Sequence, residues 1–467
     1  MTAVAMGIFL ATIDGSIVNI ALPTLQIDLQ TSFSMVQWVV LGYLLTIAVL
    51  LLSIGRWADM VGKKRIYTVG YAIFTTGSLI CGMSTSIGML IAARIFQAIG
   101  GAMMMALGTA IITENFPASE RGMALGISGL MVSLGIIAGP TLGGLILGSF
   151  TWHWIFFVNL PIGVIGAFLV IKNVPDIIPG IRQKFDFLGA GLLLVSLTCF
   201  LLGLTMGEVR GYGDLLVLAL LVGFAVFLGL FIFVESRVEQ PMIDLGLFRS
   251  GLFSVNLITG FLTFIGTAGS TLLMPYYLEN VRGYTPQTIG LMLAVVPLIV
   301  GIIAPISGML SDRLGTRPLT VIGLAVMACG YISVSTLTID TSIGGYILRF
   351  IPMGLGMGIF QSPNNSAIMS SAPRNRLGVA SGLQALTRTL GQTSGIAILG
   401  AIWTSLVVYH SGGIHYGDNS LAPVEFQVQA LQGTLQIVAV LLAAGFLLSL
   451  YAWWVERGQK VPTVAVE

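Results

Sequence analysis

The stretch Gly55-Arg56-Trp57-Ala58-Asp59-Met60-Val61-Gly62-Lys63-Lys64-Arg65 is a charged segment between two long apolar runs. It returns 253 residues later as Gly308-Met309-Leu310-Ser311-Asp312-Arg313-Leu314-Gly315-Thr316-Arg317, with Gly, Asp and Gly in register. Gly55 and Gly62 suit a tight turn. Asp59 can pair with basic neighbours or cap a helix, and Lys63, Lys64 and Arg65 suit an anionic leaflet. Two copies of one membrane-edge turn imply two copies of the helices around it.

Outward from this turn the chain is apolar almost end to end. Of 467 residues, 56% are hydrophobic and 9% charged, more apolar surface than a soluble core can hide. About 20 apolar residues cross a bilayer. Runs of that length, at about 3–26, 35–55, 66–85, 88–112, 121–148, 152–172, 186–206, 214–235, 252–278, 285–306, 318–338, 342–365, 376–408 and 430–455, predict fourteen transmembrane helices, numbered 1 to 14 in this subsection. The runs are too long for strands and lack period-2 alternation. The 59 glycines fit close helix packing in lipid.

Composition also excludes several functions. No run of like charge points to nucleic acid, and the net charge of +2 is uninformative about partners. Cys81, Cys199 and Cys329 form neither a disulfide framework nor metal-site spacing. His153, His410 and His415 fall in predicted loops without clustered ligands, so no metal is expected. Residues 1–25 lack a basic n-region and carry an acid in mid-segment, so they read as a retained first helix. No GxxxxGK[ST] motif is present, so ATP is not the expected energy source. An intramembrane enzyme would need a nucleophile–base pair or ligand cluster at depth, and the only acid there is Asp14.

Sixteen of the 21 basic residues fall in loops and tails on one side and two on the other. By the positive-inside rule, both termini are cytoplasmic in a multi-pass inner-membrane protein. The repeat continues beyond the turn: Arg94 matches Arg349 at an offset of 255 and Gly139 matches Gly395 at 256. The expected organisation is a six-helix bundle over 1–172, a linker with two inserted helices over 173–250, and a second six-helix bundle over 251–467. Parallel repeats of this kind point to a transporter that rocks around a central site.

Asp14 lies about eleven residues into helix 1, roughly 16 Å along its axis, near mid-membrane. A carboxylate there costs at least ~2.5 kcal/mol on insertion scales, so it must face a cavity or a partner. Burial disfavours its charged form, which suits a group that takes up and releases a proton. Arg94 in helix 4, with Gln97 on its face, is the cation whose approach or retreat would bias that proton. In helix 13, Gln384, Arg388 and Gln392 share one stripe, and helix 12 adds Arg349, Gln361, Asn364 and Asn365. Facing lipid, these groups would be costly, so they are expected at a central cavity. With Gln97 and the aromatics Trp38, Tyr43 and Phe360, they are the expected substrate contacts. Gly135, Gly139, Gly143 and Gly144, with Pro140 as a bend, give helix 5 a small-residue face expected to meet the other bundle.

Five segments resemble motifs of the major facilitator superfamily, specifically its fourteen-helix drug:proton antiporter branch. Gly55–Arg65 resembles the loop motif between helices 2 and 3, and Arg94–Gly101 the helix-4 motif. Gly135–Gly144 resembles the helix-5 motif associated with antiporters. Asp14–Pro23 resembles the helix-1 motif of the branch, and Trp152–Pro161 its helix-6 entry. The resemblance implies an all-α membrane fold of fourteen helices in a six-two-six order. It implies proton-coupled efflux of amphipathic small molecules, with Asp14 and Arg94 in proton coupling and the proton gradient as energy source, without a cofactor. It also implies that Gly55, Asp59, Gly62, Lys63 and Arg65, with Asp312 in the second copy, latch the two bundles. A monomer is expected. The competing readings are a lipid or metabolite exporter on the same scaffold and a non-transporting receptor. Helices 9–14 contain no acid at mid-depth, which weakens the case for dicationic drugs.

Overall fold

The computed structural model describes residues 1–115, 118–176, 186–238, 243, 245–372, 377–414, 416 and 419–458. Side chains are described for these except at Leu52, Arg56, Asp59, Thr109, Thr113, 118–130, Ser133, Glu208, Val209, Leu377, Gly378, Arg457 and Gly458. The first helices are α1 (Thr2–Asp28), α2 (Phe33–Val61), α3 (Lys63–Gly82), α4 (Ile87–Asn115) and α5 (Ala118–Ser149), then α6 (Trp154–Phe157) and α7 (Asn159–Asn173). Next come α8 (Phe187–Arg210), α9 (Leu215–Glu235), α10 (Gly251–Tyr276) with a π-helical extension Tyr277–Val281, α11 (Pro286–Leu293) and α12 (Val295–Leu314). The chain closes with α13 (Thr316–Val334), α14 (Ile343–Ser370), α15 (Leu377–His410) and α16 (Val424–Gly458). Among the described residues, twelve helical spans are long and apolar enough to cross a membrane. The count of fourteen is therefore not reached on that criterion. The helix α3 opens on Lys63, Lys64 and Arg65, and only Leu134–Ser149 of α5 stands out as an apolar helix, a shorter one.

Local chemistry sets the ends. Ser32, Asp186, Asp214, Ser250 and Ser342 cap α2, α8, α9, α10 and α14 by accepting backbone N–H bonds, satisfying donors the helix leaves open. The duplicated turn is tighter than its eleven-residue motif implies. The helix α2 runs through Gly55 to Val61, and one residue, Gly62 at φ +107°, reverses the chain into α3. In the second copy Gly315 at φ +83° does the same between α12 and α13. Positive φ favours glycine there, whereas Gly55 is an ordinary helical position with open space around it.

The packing repeats as the turn does. In the first part of the chain α1 packs on α4, α5 and α7, α3 on α4 and α7, and α2 on α4. In the second, α10 packs on α14, α15 and α16, α13 on α14 and α16, and α12 on α14. The helices α8 and α9 pack on each other, with α8 bridging α2 and α15.

Close glycine contacts fix the register. A Cβ on Gly100 would lie 2.5 Å from the Gly70 carbonyl oxygen and the Phe74 nitrogen, and one on Gly356 would lie 2.3 Å from the Met327 nitrogen. A Cβ on Gly77 would meet the Gln97 backbone, and one on Gly330 that of Met353. Gly77 and Phe74 lie 253 residues before Gly330 and Met327, and Gly100 and Gln97 lie 256 before Gly356 and Met353. In that register Phe350, not Arg349, stands where Arg94 stands in the first copy.

The two groups meet through specific contacts at the end of the bundle opposite the Gly62 and Gly315 turns. A Cβ on Gly144 of α5 would lie 2.4 Å from the Pro286 oxygen of α11, and one on Gly290 would lie 2.3 Å from the Pro140 oxygen. Phe33 packs edge-on against Tyr276 at 4.9 Å and tilted against Trp403 at 5.1 Å, and Gln26 donates to Ser420 at 2.8 Å. At the turn end, ion pairs among the described residues stay within one group: Lys63–Glu114 at 3.2 Å, Arg65–Asp176 at 3.3 Å and Arg317–Glu456 at 2.8 Å.

Candidate functional site

Asp14 has a partner rather than a cavity. Its carboxylate is fully buried and accepts from Arg94 Nη1 at 2.6 Å, Gln97 Nε2 at 2.9 Å and Asn159 Nδ2 at 2.7 Å. These donors come from α4 and the start of α7, and Ser78 of α3 closes the group by accepting from Gln97 at 2.8 Å. Arg94 is shared further: it donates to Gln97 Oε1 at 2.7 Å and, through Nε, to the Val39 carbonyl at 3.1 Å. Its guanidinium lies 4.0 Å from the centre of the Tyr43 ring. Three donors, one of them a guanidinium, saturate this carboxylate, so nothing else reaches it unless the cluster loosens. The first-copy positions Ser78, Arg94 and Gln97 correspond to Tyr331, Phe350 and Met353 in the second, so the charged cluster is confined to one copy.

Beside the cluster lies a central cavity of about 280 Å³, walled by helices of both groups. Tyr43 separates the two compartments: it lines the cavity and covers Arg94. Its hydroxyl has no hydrogen-bond partner among the described residues, and Gly101 gives it room, since a Cβ there would lie 2.9 Å from the hydroxyl oxygen.

The wall itself is duplicated. Val40, Tyr43, Leu44 and Ile47 of α2 are matched, 253 residues on, by Leu293, Val296, Pro297 and Val300, and all eight line the cavity. Met105 of α4 is matched at 256 by Gln361 of α14. Val132, Ile136 and Pro140 of α5 are matched at 256 by Arg388, Gln392 and Ile396 of α15. Equivalent positions thus carry Met, Val and Ile on one side and Gln, Arg and Gln on the other.

Of the expected substrate contacts, Tyr43, Gln361, Arg388 and Gln392 line this cavity. Gln97 belongs to the Asp14 cluster instead. Gln384 is bonded to Asn365, and Asn364 donates to the Asn256 carbonyl at 3.2 Å. Phe360 is core, under Gly323, and Trp38 packs at the edge of the main apolar cluster. Arg349 donates to Thr336 at 2.8 Å and to the Gly345 carbonyl at 3.0 Å, away from the cavity. Wall residues the sequence reading passed over include Thr12, Ser16 and Asn19 of α1 and Thr267 and Thr271 of α10. Their three- and four-residue spacing in apolar helices is a signal that could have found them.

The helix-5 glycines divide between two neighbours. Added Cβ atoms on Gly135, Gly139 and Gly143 would strike Thr12, Ser16 and Ile20 of α1, within the same group, while Gly144 alone of the four abuts α11. This corrects the expectation that the whole face meets the other bundle. Of the expected latch, Lys63 and Arg65 make the ion pairs given above, Asp312 is exposed, and the side chain of Asp59 lies outside the described residues.

A sequence model of the Major Facilitator Superfamily matches residues 4–396. The chain belongs to this superfamily. Among its relatives are a riboflavin transporter, RibZ, of Clostridioides difficile, 36% identical over 87% of this chain and 88% of that one. The multidrug resistance protein Stp of Mycobacterium tuberculosis is 34% identical over 86% and 75%, and the tetracenomycin C resistance and export protein of Streptomyces glaucescens 32% identical over 87% and 76%. The fold is shared with solved transporter structures: a POT family transporter at TM-score 0.71 and 16% identity, covering 98% of this chain and 96% of that one. A bacterial Spinster homologue in an inward-facing conformation gives 0.68 and 16%, covering 99% and 98%. The protein is a multi-pass membrane transporter of small-molecule substrates, not an enzyme.

Proposed function

We propose that this superfamily member is a proton-coupled exporter of amphipathic small molecules, working by alternating access as a monomer in the cytoplasmic membrane with both termini inside. On this reading the chain is a fourteen-helix antiporter: bundles over 1–172 and 251–467, with two inserted helices between. The observation that carries it is the sealed Asp14–Arg94–Gln97–Asn159 cluster, one aromatic ring away from the substrate-sized cavity. A buried ion pair that must separate before its acid can be protonated is a two-state element, and Tyr43 is the side chain through which an occupant of the cavity would reach it. Because Asp14 does not line the cavity, substrate and proton act on each other through Arg94 and Tyr43 rather than by competing for one carboxyl. Multidrug and antibiotic-export relatives support efflux. The riboflavin-transporter relative favours a second reading, a metabolite exporter on the same scaffold.

The test uses proteoliposomes with an imposed pH gradient and a fluorescent amphipathic probe. Wild type accumulates the probe uphill. Asp14→Asn loses uphill transport and keeps downhill exchange of probe at equal pH on both sides. Unchanged proton-driven transport by the variant rejects Asp14 as the coupling group, and no transport by wild type of a panel spanning dyes, flavins and labelled lipids rejects the exporter.

A further inference from the structure

We infer that the cavity binds an organic anion with an apolar body, and that Arg388 is its counter-ion; this takes the exporter reading as its frame and names the substrate class. Arg388 lines the cavity from α15 and makes no hydrogen bond or ion pair among the described residues. The described wall contains no Asp, Glu, Lys or His. Asp14, on the far side of Tyr43 from the cavity, is already held by Arg94 at 2.6 Å. A guanidinium within a membrane protein, with no counter-charge among the described residues, leaves that charge to be supplied by what enters. Arginine also offers planar, paired donors that fit a carboxylate or phosphate.

The duplication sharpens the point. At three equivalent positions the α4–α5 side presents Met105, Val132 and Ile136, whereas the α14–α15 side presents Gln361, Arg388 and Gln392. Two amide side chains beside a guanidinium put the charged pole at these positions on one wall only; the first-copy side offers neutral groups, the apolar Met105, Val132 and Ile136 together with the hydroxyls and amide of Thr12, Ser16 and Asn19. The apolar part of the ligand is further provided for along α14, where Tyr346 and Phe350 stack at 4.2 Å and both line the cavity. Phe350 lies eleven residues from Gln361, about 16 Å along the helix, which fits an elongated molecule with its acid at one end. A cation is disfavoured twice, by repulsion from Arg388 and by the absence of any acid in the wall.

A matched series reads this directly: 1-pyrenebutyrate, 1-pyrenebutanol and 1-pyrenebutyl-trimethylammonium, titrated onto the purified full-length protein in detergent by fluorescence anisotropy. Wild type should bind the carboxylate at least tenfold more tightly than the alcohol, and the cation more weakly than either. Arg388→Gln should lose that tenfold preference while its affinity for the alcohol stays within about threefold, and Arg388→Lys should keep part of it. Arg388→Gln removes an unpaired charge, so it should unfold no lower than wild type, and pyrenebutyrate should raise the midpoint of wild type alone. Equal binding of the three probes, failure of the carboxylate to bind, or an anion preference intact in Arg388→Gln overturns the inference. Dioctanoyl phosphatidate, used as competitor, separates a lipid anion from a small aromatic acid as the better occupant. Anion binding with no proton-driven movement in proteoliposomes would leave this site standing and remove the exporter reading; cation export with no anion binding would do the reverse.

Discussion

Replacing Arg94 by methionine keeps much of its apolar volume and removes the cation paired with Asp14. The carboxylate would retain Gln97 at 2.9 Å and Asn159 at 2.7 Å but lose the 2.6 Å ion pair in a site with no exposure to solvent. Breaking a buried pair from one side costs about 3–5 kcal/mol, because a charge is left uncompensated. Asp14→Asn strands the other charge, yet the guanidinium keeps Gln97, the Val39 carbonyl and the face of Tyr43. A desolvated cation–π contact contributes about 2 kcal/mol, so this variant should lose less. The double variant contains neither stranded charge and should be no less stable than Arg94→Met alone, a coupling of about 2 kcal/mol or more. Reversible unfolding in mixed detergent micelles, with the four proteins side by side, measures it. Costs that simply add would show that the two groups do not stabilise each other and would refute the ion pair as the cluster's core.

Gly290→Val should push α11 from α5, since even a Cβ would lie 2.3 Å from the Pro140 carbonyl oxygen; spin labels at the exposed Leu145 and Leu291 should report a longer distance by pulsed electron resonance than in wild type. Gly101→Ala should displace the Tyr43 ring, the added carbon falling 2.9 Å from its hydroxyl, and proton-driven transport should fall several-fold more than equilibrium binding of the probe. Gly62→Ala places a Cβ at φ +107° and should lower stability by about 1–3 kcal/mol, read as a lower unfolding midpoint, whereas Gly55→Ala, in open helical space, should leave it within error.

The parts of this protein that were legible in its sequence are those governed by period and repetition. Apolar length marks twelve of the helical spans, and the Gly62 and Gly315 copies carry the duplication in the sequence itself. What escaped is what depends on rotation about a helix axis. Gln384, Arg388 and Gln392 share a stripe, but a small turn of α15 puts Gln384 against Asn365 and leaves the other two at the cavity. Arg349 was paired with Arg94 because the residue types agree, whereas backbone contacts at Gly330 and Gly356 shift the register by one residue. An offset error of one moves a side chain about 100° around a helix, as 3.6 residues make a turn, enough to carry a core cation to the surface. Asp14 could be placed at depth by counting, but only coordinates show three donors closing around it.

The Tyr43 ring, lying between Arg94 and the cavity, has one more consequence. While it is in place, an aromatic face stands between anything in the cavity and the buried Asp14–Arg94 pair, and on the proton-coupled reading that partition keeps the gradient from leaking through the resting molecule. Any substitution that thins this partition to an alanine should make the cell's membrane conductive to acid before it makes export fail.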